Sequence, residues 1–485
     1  MVVKRKETVV DSATSVEGAA VTARSVKVGQ TVAERLADYI SGLRFEDLPV
    51  AVVDKAKNLL VYHLSLGFAG HTFPAGQTAV RLAQELSGDG GSASIIGAPG
   101  RVGPLAAALA NSGLMCQTHQ DDFVPSSVHP GVVVHPAAWA IGEDRHVSGR
   151  ELLTAVVAGY DAMSKLSDPA TNFDYYGRRP QYPFAPFGVA ATSARLLGLA
   201  PDLVAQAMAH AGHAGMGVVE GSEHYWNVDA RLTTGGMMAA YLARAGALAA
   251  PTTIEGAYGF YRVFFGAVPD GLDASLDRLR GHFAICAATT KPESASGANI
   301  PAMQVACELR TCGAFNVADV AGVRVVLAEK RRGRDAYFEG DLDRRPTDSY
   351  AARLSLRFRI AAIMLDGRID LTRIGDPGEP DLRAMLDRVT LDYEAGHTIE
   401  VAGEIVPAVS YARVEITTHD GRTFSGERDR VIPPPTDWRA WLRRDGASLV
   451  GVEQLDRLEA LMARLEDVAD VAEVMASTRP ATHLA

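Results

Sequence analysis

The stretch Gly103–Gly113, GPLAAALANSG, carries the pattern that decides the fold. Alanine has the highest helix propensity, and small residues on adjoining turns let neighbouring helices approach closely. Apolar residues at helical spacing also run from Val32 to Leu64, which predicts two helices. The same texture continues at 76–86, 103–117, 135–143, 149–165, 185–197, 202–221, 234–248 and 257–265. The sequence therefore predicts a large all-helical domain.

The texture changes after about residue 280. β-Branched residues alternate with polar ones in AGVRVVL (321–327), VTLDY (389–393) and YARVEITT (411–418), which predicts half-buried strands, and an Asp-Gly turn follows the third. Helical stretches at 300–312, 350–364 and 379–387 lie between them. This alternation predicts a smaller α/β (α+β) module.

A last helical stretch, 452–475, carries leucines on one face and is expected to rejoin the helical domain. We therefore predict a mainly α protein with a large all-helical domain and a smaller inserted α/β lid domain. The predicted parts are a disordered tail (1–28), the first part of the helical domain (29–278), the lid (279–430) and the returning helical part (431–485). A cleft is expected where the two domains meet.

Composition argues against several classes of protein. The 485-residue chain is 47% hydrophobic and 22% charged, as expected of a globular protein large enough for two domains. Its formal net charge of −10 would repel nucleic-acid phosphates. Neither a membrane-spanning segment nor a secretory signal is recognisable, so a cytoplasmic location is expected. The four cysteines lack the CxxC spacing of zinc and redox sites.

The densest polar cluster is Thr118–Pro130, THQDDFVPSSVHP. Loops between rigid elements are where catalytic groups concentrate, and imidazole titrates near neutral pH, so His129 is predicted to act as acid or base. Asp121 or Asp122 would orient it, and His119 would help to relay the proton. Two alternatives stay open. In the first, the carboxylates serve only as helix caps beside structural histidines. In the second, the histidines and an aspartate bind a metal, although their spacing matches no metal motif.

A second candidate is the aromatic loop Tyr175–Tyr182, YYGRRPQY, which contains Arg178 and Arg179. Arginine binds carboxylates with two parallel hydrogen bonds, so this loop is predicted to hold a di- or tricarboxylate. The alternative is a solvated pair of charges.

The third candidate, Ala288–Gly297, lies near the predicted domain junction. Lys291 would stabilise negative charge across the cleft, and Ser296 is a candidate for substrate binding. The alternative is an ordinary loop rich in serine and glycine.

The fourth candidate is the polar and aromatic patch Ser222–Asn227, SEHYWN. His224 and Tyr225 within it, and Arg231 just after it, are candidates for substrate contact. An aromatic cluster in a core or an interface explains this patch equally well.

Together these segments resemble the MmgE/PrpD family, which contains 2-methylcitrate dehydratases, cis-aconitate decarboxylases and an iminodisuccinate epimerase. The resemblance spans about residues 30–475 and depends on the order and separation of short motifs. These motifs are Leu36–Leu43, Gly103–Gly113, Asp121-Asp122 with His129-Pro130, Gly159–Asp161, Phe187-Gly188, Ala194–Leu199, Lys291-Pro292 and Leu365–Arg368.

The resemblance implies a helical main domain, an α/β lid, a homodimer and chemistry without a cofactor. It also implies that His129 and Lys291 belong to the active site. Several positions depart from the family pattern. His119 replaces an aspartate, and Arg179 replaces a histidine. Ser296, Asn299 and Ile300 stand where the family has a cysteine and a Thr-His pair, and the histidine expected just before Arg231 is Val228 or Asn227, with His224 displaced by about three residues. These departures indicate a substrate different from 2-methylcitrate or cis-aconitate.

The resulting hypothesis is a cofactor-independent lyase or isomerase that removes a proton next to a carboxylate or carbonyl of a small di- or tricarboxylate. His129 would be the acid or base, and Lys291 and Arg179 would pair with the developing negative charge. No metal, nucleic acid or membrane is expected as a partner. The alternatives are an epimerase or cyclase of a biosynthetic pathway, and a catalytically inactive protein that binds a carboxylate or a partner.

Overall fold

Two large clusters of buried apolar side chains organise the computed structural model. The structure describes residues 29–88, 90–171, 181–215, 226–331, 349–368, 379–401, 404–407, 410–431 and 437–481. Within them the first core takes side chains from 32–288 and 442–475, and the second core takes side chains from 295–431. Thr31–Ala485 groups as one unit, so the predicted domain bounds stay predictions. The predicted tail, residues 1–28, lies outside the described residues.

Helices form the first core, as the small-residue texture predicts. In chain order they are α1 (Val32–Gly42), α2 (Val50–Gly70), α3 (Pro74–Ser87), α4 (Pro104–Met115), α5 (Gly131–Arg145), α6 (Gly149–Ser167), α7 (Gln181–Leu196), α8 (Pro201–Ala211), α9 (Trp226–Arg244), α10 (Phe260–Phe265) and α11 (Leu272–Asp277). Within the described residues, every helix is too short or too polar to cross a bilayer.

Glycine allows the closest helix contacts. Gly159 of α6 lies against α7, where a Cβ would come 2.1 Å from the hydroxyl oxygen of Thr192. Gly70, at the end of α2, lies against the backbone of α4, where a Cβ would come 2.3 Å from the carbonyl oxygen of Leu114. Larger side chains would force these helices apart in a close-packed interior. The predicted mainly helical fold is confirmed.

The second core combines helices with a small sheet. Its elements are α12 (Ile300–Thr311), β1 (Val320–Ala328), α13 (Ser349–Leu354), α14 (Leu356–Asp366), α15 (Pro380–Leu386), β2 (Val389–Glu394), β3 (Thr398–Val401), β4 (Glu404–Pro407), β5 (Ala412–Thr418) and β6 (Thr423–Arg428). Four strands form a mixed sheet in the order β2-β1-β5-β6, and β3 pairs with β4. Val323 of β1 pairs in parallel with Val389 of β2 and antiparallel with Ile416 of β5. The three predicted strands and the α/β character of this part are confirmed.

The chain then returns to the first core through α16 (Trp438–Val450), α17 (Val452–Ala463) and α18 (Ala472–Ala476). The predicted helical stretch 452–475 divides into α17 and α18, because α17 ends at Ala463 and Arg464 leaves the helical conformation. The following segment instead docks on the start of α6, where the Gly149 N–H donates to the Val468 oxygen at 2.8 Å. That contact requires a turn, so it ends the helix.

Candidate active site

The polar cluster Thr118–Pro130 lies in the loop between α4 and α5. His119 and Ser127 in this loop adopt the left-handed backbone conformation, with φ of 54° and 63°. Such conformations cost roughly 1–3 kcal/mol outside glycine and concentrate at functional sites. Phe123 forms an antiparallel bridge with Thr289 through hydrogen bonds of 2.9 and 2.8 Å. The bridge brings the loop next to the segment that carries Lys291.

Asp121 joins the two residues that the resemblance assigns to the active site. Its Oδ1 lies 2.9 Å from Lys291 Nζ, and its Oδ2 lies 2.7 Å from His129 Nδ1. Asp121 and Lys291 are buried, whereas the His129 side chain is 19% exposed. Burial raises the pKa of the Asp121 carboxyl, but Lys291 and His129 outweigh burial and hold this pKa well below its usual value. Asp121 is therefore a carboxylate at neutral pH.

The contacts of His129 indicate which ring nitrogen carries the proton. Nδ1 faces two acceptors, Asp121 Oδ2 at 2.7 Å and the backbone oxygen of Asp122 at 2.9 Å. A nitrogen that faces acceptors carries the hydrogen, so the lone pair of the neutral ring is on Nε2. A carboxylate behind Nδ1 also stabilises the imidazolium that forms when Nε2 takes a proton. This arrangement suits a general base.

Asp122 points away from His129 and into the helical core. Its Oδ2 accepts a hydrogen bond from the Tyr160 hydroxyl at 2.7 Å, and its Oδ1 accepts one from the Gly131 N–H at 2.9 Å and lies 3.3 Å from His63 Nε2. Burial raises the pKa of Asp122, but His63 and the other neighbours outweigh it and lower this pKa. In this geometry the carboxylate that orients His129 is that of Asp121. Asp122 contacts His129 through its backbone alone.

A buried aromatic network continues behind Asp122. His135 Nε2 lies 3.3 Å from the Tyr160 hydroxyl, and the ring of His135 packs edge-on against that of His63. Burial, followed by the charge of His63, lowers the pKa of His135 well below its usual value. Sequence reasoning missed these residues, although His63 interrupts an apolar helical face and Tyr160 belongs to the motif Gly159–Asp161.

Tyr62 of α2 connects the loop to the Lys291 segment. Its hydroxyl lies at the backbone oxygen of Lys291, 3.0 Å away, and also contacts the backbone oxygen of Gln120. The Gln120 side chain donates to the Pro292 oxygen at 3.0 Å. Burial and the charges of Asp121 and Asp122 raise the pKa of Tyr62 well above its usual value. Tyr62 is therefore a neutral phenol that holds the two segments together.

The backbone of His129 is attached to two further helices. Its N–H donates to Gln181 Oε1 at 2.5 Å, and Gln181 Nε2 donates to Asp229 Oδ1 at 2.8 Å. Gln181 opens α7, Asp229 lies in the first turn of α9, and both are fully buried. Sequence reasoning missed both residues, and no local pattern distinguishes them.

The other predicted residues lie in different surroundings. The backbone oxygen of His119 accepts from Lys291 Nζ at 3.3 Å, and its ring is buried. Ser296 is half-buried at the start of a short 3₁₀ turn, and Arg231 is exposed on α9. The structure therefore brings together His129, Asp121, Lys291 and the His119 backbone. Four predicted substrate-binding residues lie outside the described residues: Arg178, Arg179, His224 and Tyr225.

A metal centre needs several His, Cys, Asp or Glu side chains around one point. Among the residues that the structure describes, no group of three or more His, Cys, Asp or Glu side chains is arranged to hold a metal ion. Both oxygens of Asp121 instead face cationic or proton-donating side chains of the protein. This arrangement suits proton transfer between side chain and substrate.

Comparison with known proteins relates the fold and this site to one family. A family model of the MmgE/PrpD N-terminal domain matches residues 34–271. A cis-aconitate decarboxylase-like protein of Aspergillus oryzae is 24% identical over 93% of this chain and 98% of that protein. The cis-aconitate decarboxylase of Aspergillus terreus is 22% identical over 92% of this chain and 96% of that protein. The cis-aconitate decarboxylase of Homo sapiens is 23% identical over 91% of this chain and 93% of that protein.

These matches support dehydratase- or decarboxylase-like chemistry in broad terms and leave the substrate open. The family model covers the helices from α1 to α10, and the match to the Aspergillus oryzae protein covers nearly the whole chain. The resemblance named from the order of short motifs is thereby confirmed: residues 34–271 belong to the MmgE/PrpD N-terminal domain family.

Proposed function

We propose that this protein is a lyase that removes a proton next to a carboxylate of a small di- or tricarboxylate, with His129 as the base. One observation carries the proposal. A single buried carboxylate, Asp121, lies within 2.9 Å of both His129 Nδ1 and Lys291 Nζ. The imidazole is oriented from behind, and an ammonium group lies beside it.

Each group has a distinct task in this reaction. His129 Nε2 takes the proton, and Asp121 stabilises the resulting imidazolium. The electron pair of the broken C–H bond moves into the neighbouring carboxylate, and Lys291 stabilises the charge that develops there. Burial strengthens these interactions, because water does not screen them. In a dehydration the electron pair then forms a C=C bond while hydroxide leaves the next carbon and is protonated to water. In a decarboxylation CO2 leaves its bonding electron pair on the carbon skeleton, so the His129 imidazolium must return the proton to another carbon of the substrate before CO2 departs.

Proton exchange in deuterium oxide tests the proposal. Purified protein is incubated with a panel of di- and tricarboxylates, including cis-aconitate and 2-methylcitrate, and proton NMR follows C–H signals next to carboxylates and any new product. We expect exchange or conversion of at least one compound. The variant His129→Gln should slow it by about 10²–10⁴-fold, the usual contribution of general acid–base catalysis.

A matched control separates catalysis from folding. His210 of α8 also contacts a backbone oxygen, that of Ala247 at 3.1 Å, so His210→Gln removes a similar contact elsewhere. This variant should keep wild-type activity. Absence of exchange and conversion with every compound, or an undiminished rate in His129→Gln, would contradict the proposal. Binding in a thermal-shift assay without any turnover would favour an inactive carboxylate-binding protein.

We also propose a cytoplasmic homodimer. Exposed apolar side chains on α3 and α9, two helices that both pack against α4, support this assembly. Leu86 is 64% exposed, Met238 is 44% exposed and Leu242 is 40% exposed, and such surface commonly mediates association. Light scattering coupled to size-exclusion chromatography should give twice the mass of the chain. A monomer at micromolar concentration would contradict this assembly.

A further inference from the structure

Asp122 contacts the segment of His129 from two sides. Its backbone oxygen lies 2.9 Å from His129 Nδ1, and its Oδ1 accepts a hydrogen bond from the N–H of Gly131, two residues further along the chain, at 2.9 Å. The position of this one residue therefore fixes both the ring of His129 and the backbone beside it. Whatever holds the Asp122 carboxylate also holds the proposed base.

His63 of α2 lies directly against this carboxylate. Its Nε2 is 3.3 Å from Asp122 Oδ1, and both side chains are fully buried. Gly131, the first residue of α5, leaves the space for the imidazole, because a Cβ there would come 2.1 Å from His63 Cε1. The His63 ring therefore fills the gap between α2 and the start of α5, and a larger residue at position 131 would displace it.

The surroundings of the His63 ring favour a proton on each of its nitrogens. Nδ1 lies 2.9 Å from the backbone oxygen of Leu59, one turn earlier in α2, so Nδ1 carries a hydrogen. Nε2 faces the carboxylate of Asp122 in an ionic contact that is not aligned as a hydrogen bond. A lone pair on Nε2 would repel the negative oxygen, whereas an N–H group attracts it. The geometry therefore favours an imidazolium.

The other titratable groups around Asp122 leave its charge to be balanced mainly by His63. Tyr160, which donates to Oδ2 at 2.7 Å, is a neutral phenol because burial raises its pKa well above the usual value. The ring of His135 packs edge-on at 4.6 Å from that of His63, and burial holds the pKa of His135 well below its usual value. Lys55 of α2 also interacts electrostatically with Asp122. A fully buried carboxylate is strongly destabilising unless a cation pairs with it.

We propose that His63 is an imidazolium paired with the Asp122 carboxylate, and that this buried pair positions His129 for proton transfer. His63 acts through Asp122 and has no contact with the face of His129 that carries Nε2, so it is a positioning residue. Asp121 determines where the proton of the His129 ring lies, and the pair of Asp122 and His63 determines where the ring itself lies. The inference rests on the proposed function, since it concerns the placement of the proposed base.

Nitrogen NMR of protein labelled with ¹⁵N-histidine measures the charge of His63 at pH 7, with His63→Gln assigning the two ring signals. We expect a proton on both ring nitrogens in wild type. In Asp122→Asn the new amide can donate to Nε2, so His63 should lose one proton and become neutral. A neutral His63 ring in wild type would overturn the ion pair, and this measurement does not require that Asp122→Asn folds. A doubly protonated ring in Asp122→Asn would overturn it as well.

The ring signals of His129 test the positioning role in the same samples. They should shift in His63→Gln, or in Asp122→Asn if His63→Gln does not fold. The control is His71→Gln: His71 follows the same helix, and its Nε2 contacts the backbone oxygen of Ile96 at 2.7 Å. This control should leave the His129 signals in place. Unchanged His129 signals in His63→Gln would overturn the positioning role.

Kinetics give a second readout with the compound that wild type exchanges or converts fastest. His63→Gln should lower kcat about 10–100-fold, because a small displacement of a catalytic group has a large effect on rate, while KM stays within about 3-fold. An unchanged kcat would overturn the positioning role, and so would a loss confined to KM. The NMR measurements need no substrate, so they decide this inference even if exchange in deuterium oxide contradicts the proposed function.

Discussion

Asp121→Asn removes the carboxylate that pairs with Lys291, and its effect on stability follows from burial. The Lys291 side chain is 4% exposed, so its cation would stay buried beside a neutral amide. Removing one partner of a buried ion pair costs roughly 3–5 kcal/mol. Native proteins are stable by only about 5–15 kcal/mol. We therefore expect Asp121→Asn to lower the free energy of unfolding by about 3–5 kcal/mol.

A double variant shows whether the ion pair causes this loss. Asp121→Asn with Lys291→Met removes both charges, and replacing a whole buried pair is often close to neutral. The double variant should therefore be more stable than the sum of the two single losses predicts, with a coupling energy of about 2 kcal/mol or more. Urea unfolding followed by tryptophan fluorescence suits this measurement, because the Trp438 ring lies 4.5 Å from the Tyr62 ring at the same junction.

The control is an ion pair at the surface. Arg443 and Asp456 are both exposed, so Arg443→Met should leave the unfolding midpoint close to that of wild type. A loss below about 1 kcal/mol for Asp121→Asn, or additive losses in the double variant, would refute the buried contact between Asp121 and Lys291.

Three other predictions concern residues around the site. Burial raises the pKa of the Asp161 carboxyl to about 7, so this carboxyl binds a proton more tightly in the native state than in the unfolded chain. The free energy of unfolding therefore falls as the pH rises from about 4 to about 7. Urea titrations at pH 4.5 and 8 should show that Asp161→Asn removes up to about 4 kcal/mol of this fall. An unchanged pH dependence in the variant would contradict the raised pKa of Asp161. Tyr160→Phe removes a hydroxyl that donates to Asp122 Oδ2 at 2.7 Å and should cost about 1–3 kcal/mol in the same titration, whereas wild-type stability would contradict the buried network. Gln181→Leu removes the acceptor of the His129 backbone N–H, so it should lower kcat about 10–100-fold while the circular dichroism spectrum stays unchanged. An unchanged kcat would show that this hydrogen bond does not position His129.

Local patterns predicted most of the architecture because they report burial directly. The stretch 149–165 became α6, and 411–418 became β5, with the predicted turn completed by Gly421 at φ 87°. The helix α16 was not predicted, because three arginines and Asp445 interrupt its apolar face. It packs against α2, and such tertiary contact outweighs a weak local pattern.

The site was predictable in its composition and less so in its geometry. The Thr118–Pro130 loop supplied His129 and both aspartates, but the direction of each side chain depends on a loop backbone that no periodicity describes. Asp121 therefore faces His129 while Asp122 faces the core. The partners Gln181 and His63 come from elsewhere in the chain, Gln181 from 52 residues beyond His129, and only tertiary folding brings them there.

Nitrogen NMR of His129 tests the central claim most directly. In protein labelled with ¹⁵N-histidine, the variant His129→Gln assigns the two ring signals. With the ring neutral, we predict a proton on Nδ1, facing Asp121, and none on Nε2. A proton on Nε2, or ring signals that do not change in Asp121→Asn, would show that Asp121 does not prepare this imidazole to act as a base.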